Sequence, residues 1–191
     1  KYIIYLRAVK NQIEIFREQN IPLFTKMQQK QQLYGSICAK MTISHDGKTL
    51  TLQQAAQKLK STDRALREVV YNKINDRRLQ DVKQLDNLFD ELIELRQQIA
   101  ANAGYDNYRD YMFSAMGRFD YSPEDCTNFH NSIKKHIVPI ITEIEKRRKV
   151  QLNLTSYKPW DTQVDAENKP PLTPFTTSSE LIDKSIDCFN K

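Results

Sequence analysis

The three histidines, His45, His130 and His136, are the first side chains to test for metal or acid–base chemistry. A zinc centre built on a helix needs ligands on one face, such as two His one turn apart with a Glu between them. His130 and His136 stand six residues apart, which advances a helix by about 600° and leaves them roughly 120° apart around its axis. They do not readily share an ion, and His-Glu-x-x-His occurs nowhere in the 191 residues. His45 falls in a predicted hairpin turn with Asp46 as its only acidic neighbour. All three are expected in structural or solvated roles, since none has the carboxylate or cysteine partners that metal and general-base sites use.

Asp86, Asp90 and Glu94 recur at four-residue intervals and put three carboxylates in a row on one helix. A dimetal helix bundle uses such a row together with Glu-x-x-His motifs, and no Glu here is followed by His three residues on. A solvated face beside Lys83 and Arg96 is the expected reading. Serine, threonine and cysteine nucleophiles need a base and an orienting group; none is paired locally, and there is neither a Gly-x-Ser-x-Gly elbow nor a Gly-rich phosphate loop. Cys38, Cys126 and Cys188 are far apart and form no Cys-x-x-Cys, the pattern of free buried thiols in a reducing cytoplasm. The sequence therefore assigns no catalytic and no metal-ligating residue, and leaves substrate-binding residues unknown.

The elements that would position these groups are mostly helical. Only 4 glycines occur among many Gln, Lys, Glu, Leu and Ile, which favours helix over a sandwich or barrel. Ile3, Leu6, Ile13 and Phe16 keep helical spacing from Tyr2 to about Gln19. A second helix is predicted from Pro22 to about Tyr34, with Gly35 as its stop. Asp46-Gly47 between β-prone runs predicts a hairpin near residues 37–50. Thr51 with Gln54 opens a short helix through Leu59, and another runs from Thr62 or Asp63 toward Arg78. Leu85, Leu88, Leu92, Leu95 and Ile99, widened by Phe89 and Ile93, predict a long core-facing helix ended by Gly104. Asn107 to Ser114 adds a short helix whose Tyr105, Tyr108, Tyr111 and Phe113 are expected to pack and hydrogen-bond.

Ser122-Pro123-Glu124-Asp125 reads as a complete helix start. The helix that follows carries Phe129, Ile133, Ile137, Ile140 and Ile144 on one stripe, and Pro139 predicts a kink near His136. Lys158-Pro159-Trp160-Asp161 and Asn168-Lys169-Pro170-Pro171 read as extended connections, and Thr177 with Glu180 caps a last helix through Phe189. The fold class is mainly α, a helical bundle-like lobe with one small β-hairpin. Residues 1–78 are expected as an N-terminal helical region and 79–191 as a long-helix region, with one continuous lobe as the alternative.

Length and an apolar content of 39% suffice for a core. The net charge of +5 comes from Lys and Arg interleaved with 24 acidic residues, so no nucleic-acid partner is expected. The run Lys146-Arg147-Arg148-Lys149 sits at a helix end, where cations suit the dipole. No apolar run approaches the roughly 20 residues that span a bilayer, so no membrane partner is expected; the unpaired cysteines carry the expectation of a cytoplasmic location. The ends, Lys1 without an initiator Met and Lys191 soon after an amphipathic segment, read as cut.

Several motifs in fixed order then carry a resemblance. They are Gly47-Lys48-Thr49-Leu50-Thr51-Leu52, Asp63-Arg64-x-x-Arg67 and Arg96-Gln97-Gln98-Ile99-Ala100, followed by Gly104 to Tyr111 and Arg118 to Cys126. Phe129-His130, Lys158-Pro159-Trp160-Asp161 and Pro171-Leu172-x-Pro174-Phe175 continue the order. Together they resemble the oligoendopeptidase F group of thimet-oligopeptidase-like zinc peptidases. The resemblance implies a helical, two-lobed enclosure around a channel that admits short peptides, with this span forming wall and gate. It also implies a zinc ion held by a later His-Glu-x-x-His helix and a further Glu, so zinc is a cofactor of the parent enzyme and none is expected in this fragment. Oligopeptide substrates are the implied partners, and apolar surface exposed by the cut could self-associate. A helical interaction module without catalytic activity is the rival reading, and nucleic-acid binding through the basic excess is a third.

Overall fold

Local chemistry sets most helix starts. The computed structural model describes residues 2–190; the expectations resting on Lys1 and Lys191 themselves lie outside them. Asp63 caps α4 (Arg64–Leu79), its carboxylate accepting the N–H groups of Ala65 and Leu66 at 2.9 and 3.2 Å. Thr51 and Gln54 close a reciprocal capping box at α3 (Leu52–Gln57), and Asn107 caps α6 (Tyr108–Ala115). Ser122 and Asp125 form a capping box at α7 (Pro123–Ser132), and Thr177 caps α9 (Ser178–Phe189). Each side chain satisfies an N–H that the first helical turn leaves without a partner.

The hairpin pairs β1 (Thr42–His45) with β2 (Lys48–Thr51) in antiparallel register, His45 opposite Lys48 and Ile43 opposite Leu50. Asp46 and Gly47 take left-handed φ of 51° and 72°, the geometry that matches a two-residue turn to strand twist. Pairing thus starts at Thr42, later than the β-prone run suggested. The cause is α2 (Ile21–Ala39), which continues through Gly35 instead of ending there. A glycine stops a helix by adopting positive φ, and Gly35 is not among the residues that do. Ile37, at the end of α2, and the following Met41 pack with Leu88 and Leu92 of α5 (Val82–Asn102), and that burial outweighs the roughly 1 kcal/mol helix cost of a glycine.

α1 (Ile3–Ile15) is shorter than its apolar spacing predicted, because Phe16 turns extended and a 3-10 turn, Glu18–Asn20, leads into α2. Three core clusters follow the chain. Leu23, Ile99, Ala100, Ala103 and Tyr111 join α2, α5 and α6; Ile43, Ala55, Leu59, Val70 and Ile74 join the hairpin, α3 and α4; Ile37, Met41, Leu88 and Leu92 form the third. Gly104, with φ of 87°, ends the long helix as expected. The stripe on α5 is narrower than predicted: Leu88, Leu92 and Ile99 are buried, whereas Phe89 and Ile93 are 56% and 46% exposed. The cysteines are free but not buried: Cys38 and Cys126 are half-buried and Cys188 is exposed.

α7 passes through a π turn, Ile133–Ile137, into α8 (Val138–Gln151). The Val138 N–H reaches the Ile133 carbonyl, five residues back. Pro139 has no N–H for the Lys135 carbonyl, and the widened turn places that irregularity where the kink was predicted. Pro139→Ala restores the missing donor. The expected outcome is relaxation of the π turn to α-helix with a stability gain of at most about 3 kcal/mol, read from the crystal structure and thermal unfolding of the variant. An unchanged π turn would show that packing sets the path.

Candidate functional site

Two features stand out once the helices are placed: a buried charge cluster that ties α4 to the residues after α8, and an uncovered apolar face along α7 and α8. Arg64 and Arg67 lie three residues apart, so both guanidiniums leave one face of α4. The carboxylate of Asp161 meets them from the 3-10 turn Pro159–Asp161. Arg64 donates to it from Nε at 3.0 Å and Nη2 at 2.9 Å, and Arg67 from Nη2 at 2.9 Å. The backbone N–H of Lys158 adds a fourth donor at 3.0 Å. Asp161 is fully buried and Arg67 is 2% exposed.

Burial of Asp161 pushes its carboxyl upward, and this is the largest single effect. The hydrogen bonds from Arg64, Arg67 and the Lys158 N–H, with the charge of Arg64, together outweigh it and hold the carboxyl below the usual carboxylate range. Hydrogen bonding to Asp161 correspondingly raises the Arg64 guanidinium, against a smaller opposing effect of burial. Arg67 also spends its remaining donors on the carbonyls of Trp160, Ser61 and Thr62. Arg148, in the last turn of α8, reaches the same segment, donating to the Tyr157 hydroxyl at 3.2 Å and to the carbonyls of Thr162 and Val164 at 3.2 and 2.6 Å. It does more than complement the helix dipole, and Lys158–Asp161 is a clamped turn, not an extended connection.

Among the described residues the apolar stripe on α7 and α8 is left largely uncovered. Phe129, Ile137, Ile140 and Ile144 are 64%, 47%, 55% and 45% exposed. Neither this long arm nor α9 packs extensively on α1–α6. α9 likewise leaves Ile182, Ile186 and Phe189 open. An apolar face of this extent marks a surface that meets another segment, a partner or a ligand.

The sequence-predicted residues are not brought together. His130 and His136 are both exposed, on α7 and in the π turn. His45 is buried at the end of β1, its Nε2 3.2 Å from the Asp46 carboxylate but outside hydrogen-bonding geometry. Asp86, Asp90 and Glu94 line a solvated face. The tyrosines pack as expected, with the Tyr111 ring 5.7 Å from Tyr105 and 5.8 Å from Tyr108. Among the described residues no three His, Cys, Asp or Glu side chains converge, so they do not fit a zinc centre. Sequence reasoning missed the Asp161 cluster. Its only local signal is the three-residue spacing of Arg64 and Arg67.

Among the described residues no helix is long and apolar enough to cross a membrane. The fold is similar to that of solved peptidase structures. A candidate oligoendopeptidase F from Bacillus anthracis str. Ames superposes with a TM-score of 0.89 over 98% of this chain at 19% identity, covering 34% of that chain. A second candidate oligoendopeptidase F gives 0.91 over 98% at 21% identity, and PZ peptidase A in complex with an inhibitor gives 0.90 over 98% at 20% identity. This chain covers 33% of each of those two, so it spans about a third of the length of the structures it matches. No curated protein matches it in sequence. The family model for peptidase family M3 matches residues 57–183, a span that holds the whole charge cluster, the α7–α8 arm and the long helix α5. The chain belongs to peptidase family M3.

Proposed function

We propose that this chain is the N-terminal part of a cytoplasmic, zinc-dependent oligoendopeptidase that hydrolyses peptide bonds in short peptides, and that it forms wall and gate of the substrate channel. The match of the M3 family model to residues 57–183 carries the reading. The uncovered apolar face of α7 and α8 supports the wall role, since it offers extended surface with no occupant from α1–α6. The zinc ligands and the general base belong, in this reading, to a part of the protein outside these residues. In this reading the regions 1–78 and 79–191 act as one lobe, which the packing of Met27 and Leu52 on two of the three core clusters each supports.

The test compares the intact protein with the 191-residue chain on a quenched fluorescent oligopeptide. The intact protein is expected to cleave it, to fall to background with a chelator and to recover with zinc, while the chain alone stays at background. Chelator-resistant cleavage by the intact protein, or zinc-dependent cleavage by the chain alone, would sink the proposal.

A further inference from the structure

A cavity of about 340 Å³ opens between the start of α4 and the residues that follow α8, bordered by Thr62, Arg64, Arg67, Asn153 and Asn168. Arg64 and Arg67 line it and no acidic residue does. Asp161, the carboxylate that serves both, lies behind them with its oxygens already accepting four N–H groups. The cluster of Arg64, Arg67 and Asp161 therefore carries one net positive charge, and Arg148 adds another behind the same turn.

Among the acids nearby, Asp63, between Thr62 and Arg64, offsets one of these charges while it accepts the N–H groups of Ala65 and Leu66. Glu68, one turn further along α4, acts on Arg64 without forming an ion pair among the described residues. Asp165 is folded onto its own turn, accepting the N–H groups of Glu167 and Lys169 at 2.8 and 3.4 Å. Donors are available as well as charge. Arg64 uses Nε and Nη2 on protein acceptors and leaves Nη1 free of any among the described residues. Asn153 and Asn168 hold left-handed φ of 52° and 58°, a conformation Asn tolerates better than most residues, and both are exposed at the rim of the cavity. A guanidinium edge without a protein acceptor and two exposed amides at one cavity are the components of oxyanion recognition.

The geometry points to a binding site for a small oxyanion, a carboxylate or a phosphate, held by Arg64, Asn153 and Asn168 in the field of Arg67. This goes beyond the proposed peptidase role and does not depend on it, because its test reads binding and not hydrolysis. Asn168→Asp places a carboxylate beside Arg64 at an exposed position, and Asp also accepts left-handed φ.

The experiment uses the intact protein and inorganic phosphate, measured against chloride at equal ionic strength. With phosphate at about ten times its dissociation constant, the wild-type unfolding temperature is expected to rise about 1 °C beyond the rise in Asn168→Asp. General stabilisation by excluded phosphate acts on both proteins and cancels in that difference. Phosphorus NMR lines should broaden with wild type and stay sharp with the variant. Acetate that reproduces the effect assigns the site to carboxylates, and acetate without effect assigns it to phosphate. Equal responses of wild type and Asn168→Asp would overturn the inference; if that variant does not fold, Asn153→Asp gives the same comparison.

Discussion

Asp161→Asn is expected to destabilise the fold by about 3 kcal/mol, the lower end of the range for breaking a buried ion pair. The substitution keeps the shape and removes the charge, leaving an amide N–H₂ facing guanidinium donors. The cost sits at the lower end because Arg67 keeps the carbonyls of Trp160, Ser61 and Thr62 as acceptors, and Arg64, whose side chain is 37% exposed, can reach water. Urea denaturation at neutral pH measures it through the midpoint. A loss under about 1 kcal/mol, the usual value of a surface pair, would show that burial does not protect this one.

The same carboxyl ties stability to pH. Its folded value is depressed, so its contribution is fully present above the unfolded-chain value of about 3.9 and is lost as pH falls through the folded value. The difference in stability between wild type and Asp161→Asn should hold steady from pH 7 to roughly pH 5 and shrink below about pH 4. A difference that does not change on acidification would place the ionisation elsewhere.

Ile99→Ala is expected to cost about 4 kcal/mol, in the upper half of the 2–5 kcal/mol range for buried aliphatic truncation. Ile99 is fully buried among Leu23, Ala100, Ala103 and Tyr111. Its carbonyl accepts the Asn20 side-chain amide at 3.0 Å, which anchors α5 to the turn before α2 and limits collapse into the cavity. Ile99→Val removes one methylene and should cost about 0.5–1.5 kcal/mol. Phe89→Ala, on the same helix but exposed, should change stability by at most about 0.5 kcal/mol. Thermal or urea unfolding of the three variants checks the order, and a large loss at Phe89 would mean that its face is covered.

What was legible in the sequence was local. Thr51, Ser122 and Thr177 could be read as caps because a side chain three residues from an N–H satisfies it without help from the rest of the chain. Asp46-Gly47 declared its turn, and Pro139 its irregular helix, because each restricts its own φ or hydrogen bonding. The spacing of His130 and His136 likewise bears on a shared ion through helix geometry alone, because six residues set two side chains roughly 120° apart.

Tertiary structure decided what propensity could not. Gly35 stays helical because Ile37 and Met41, beyond it, find Leu88 and Leu92 on a helix some fifty residues away. Phe89 and Ile93 belong to the apolar stripe by periodicity, yet both stay about half exposed among the described residues. The pairing of Arg64 and Arg67 with Asp161 crosses 94 to 97 positions, and neither guanidinium carries a local mark of which carboxylate it will meet. Short-range hydrogen bonds and dihedral limits are written in adjacent residues, so the sequence determined the helices, their starts and the hairpin turn. Burial and ion pairing depend on which surfaces the assembled helices bring into contact, so the charge cluster and the open α7–α8 face emerge only with the fold.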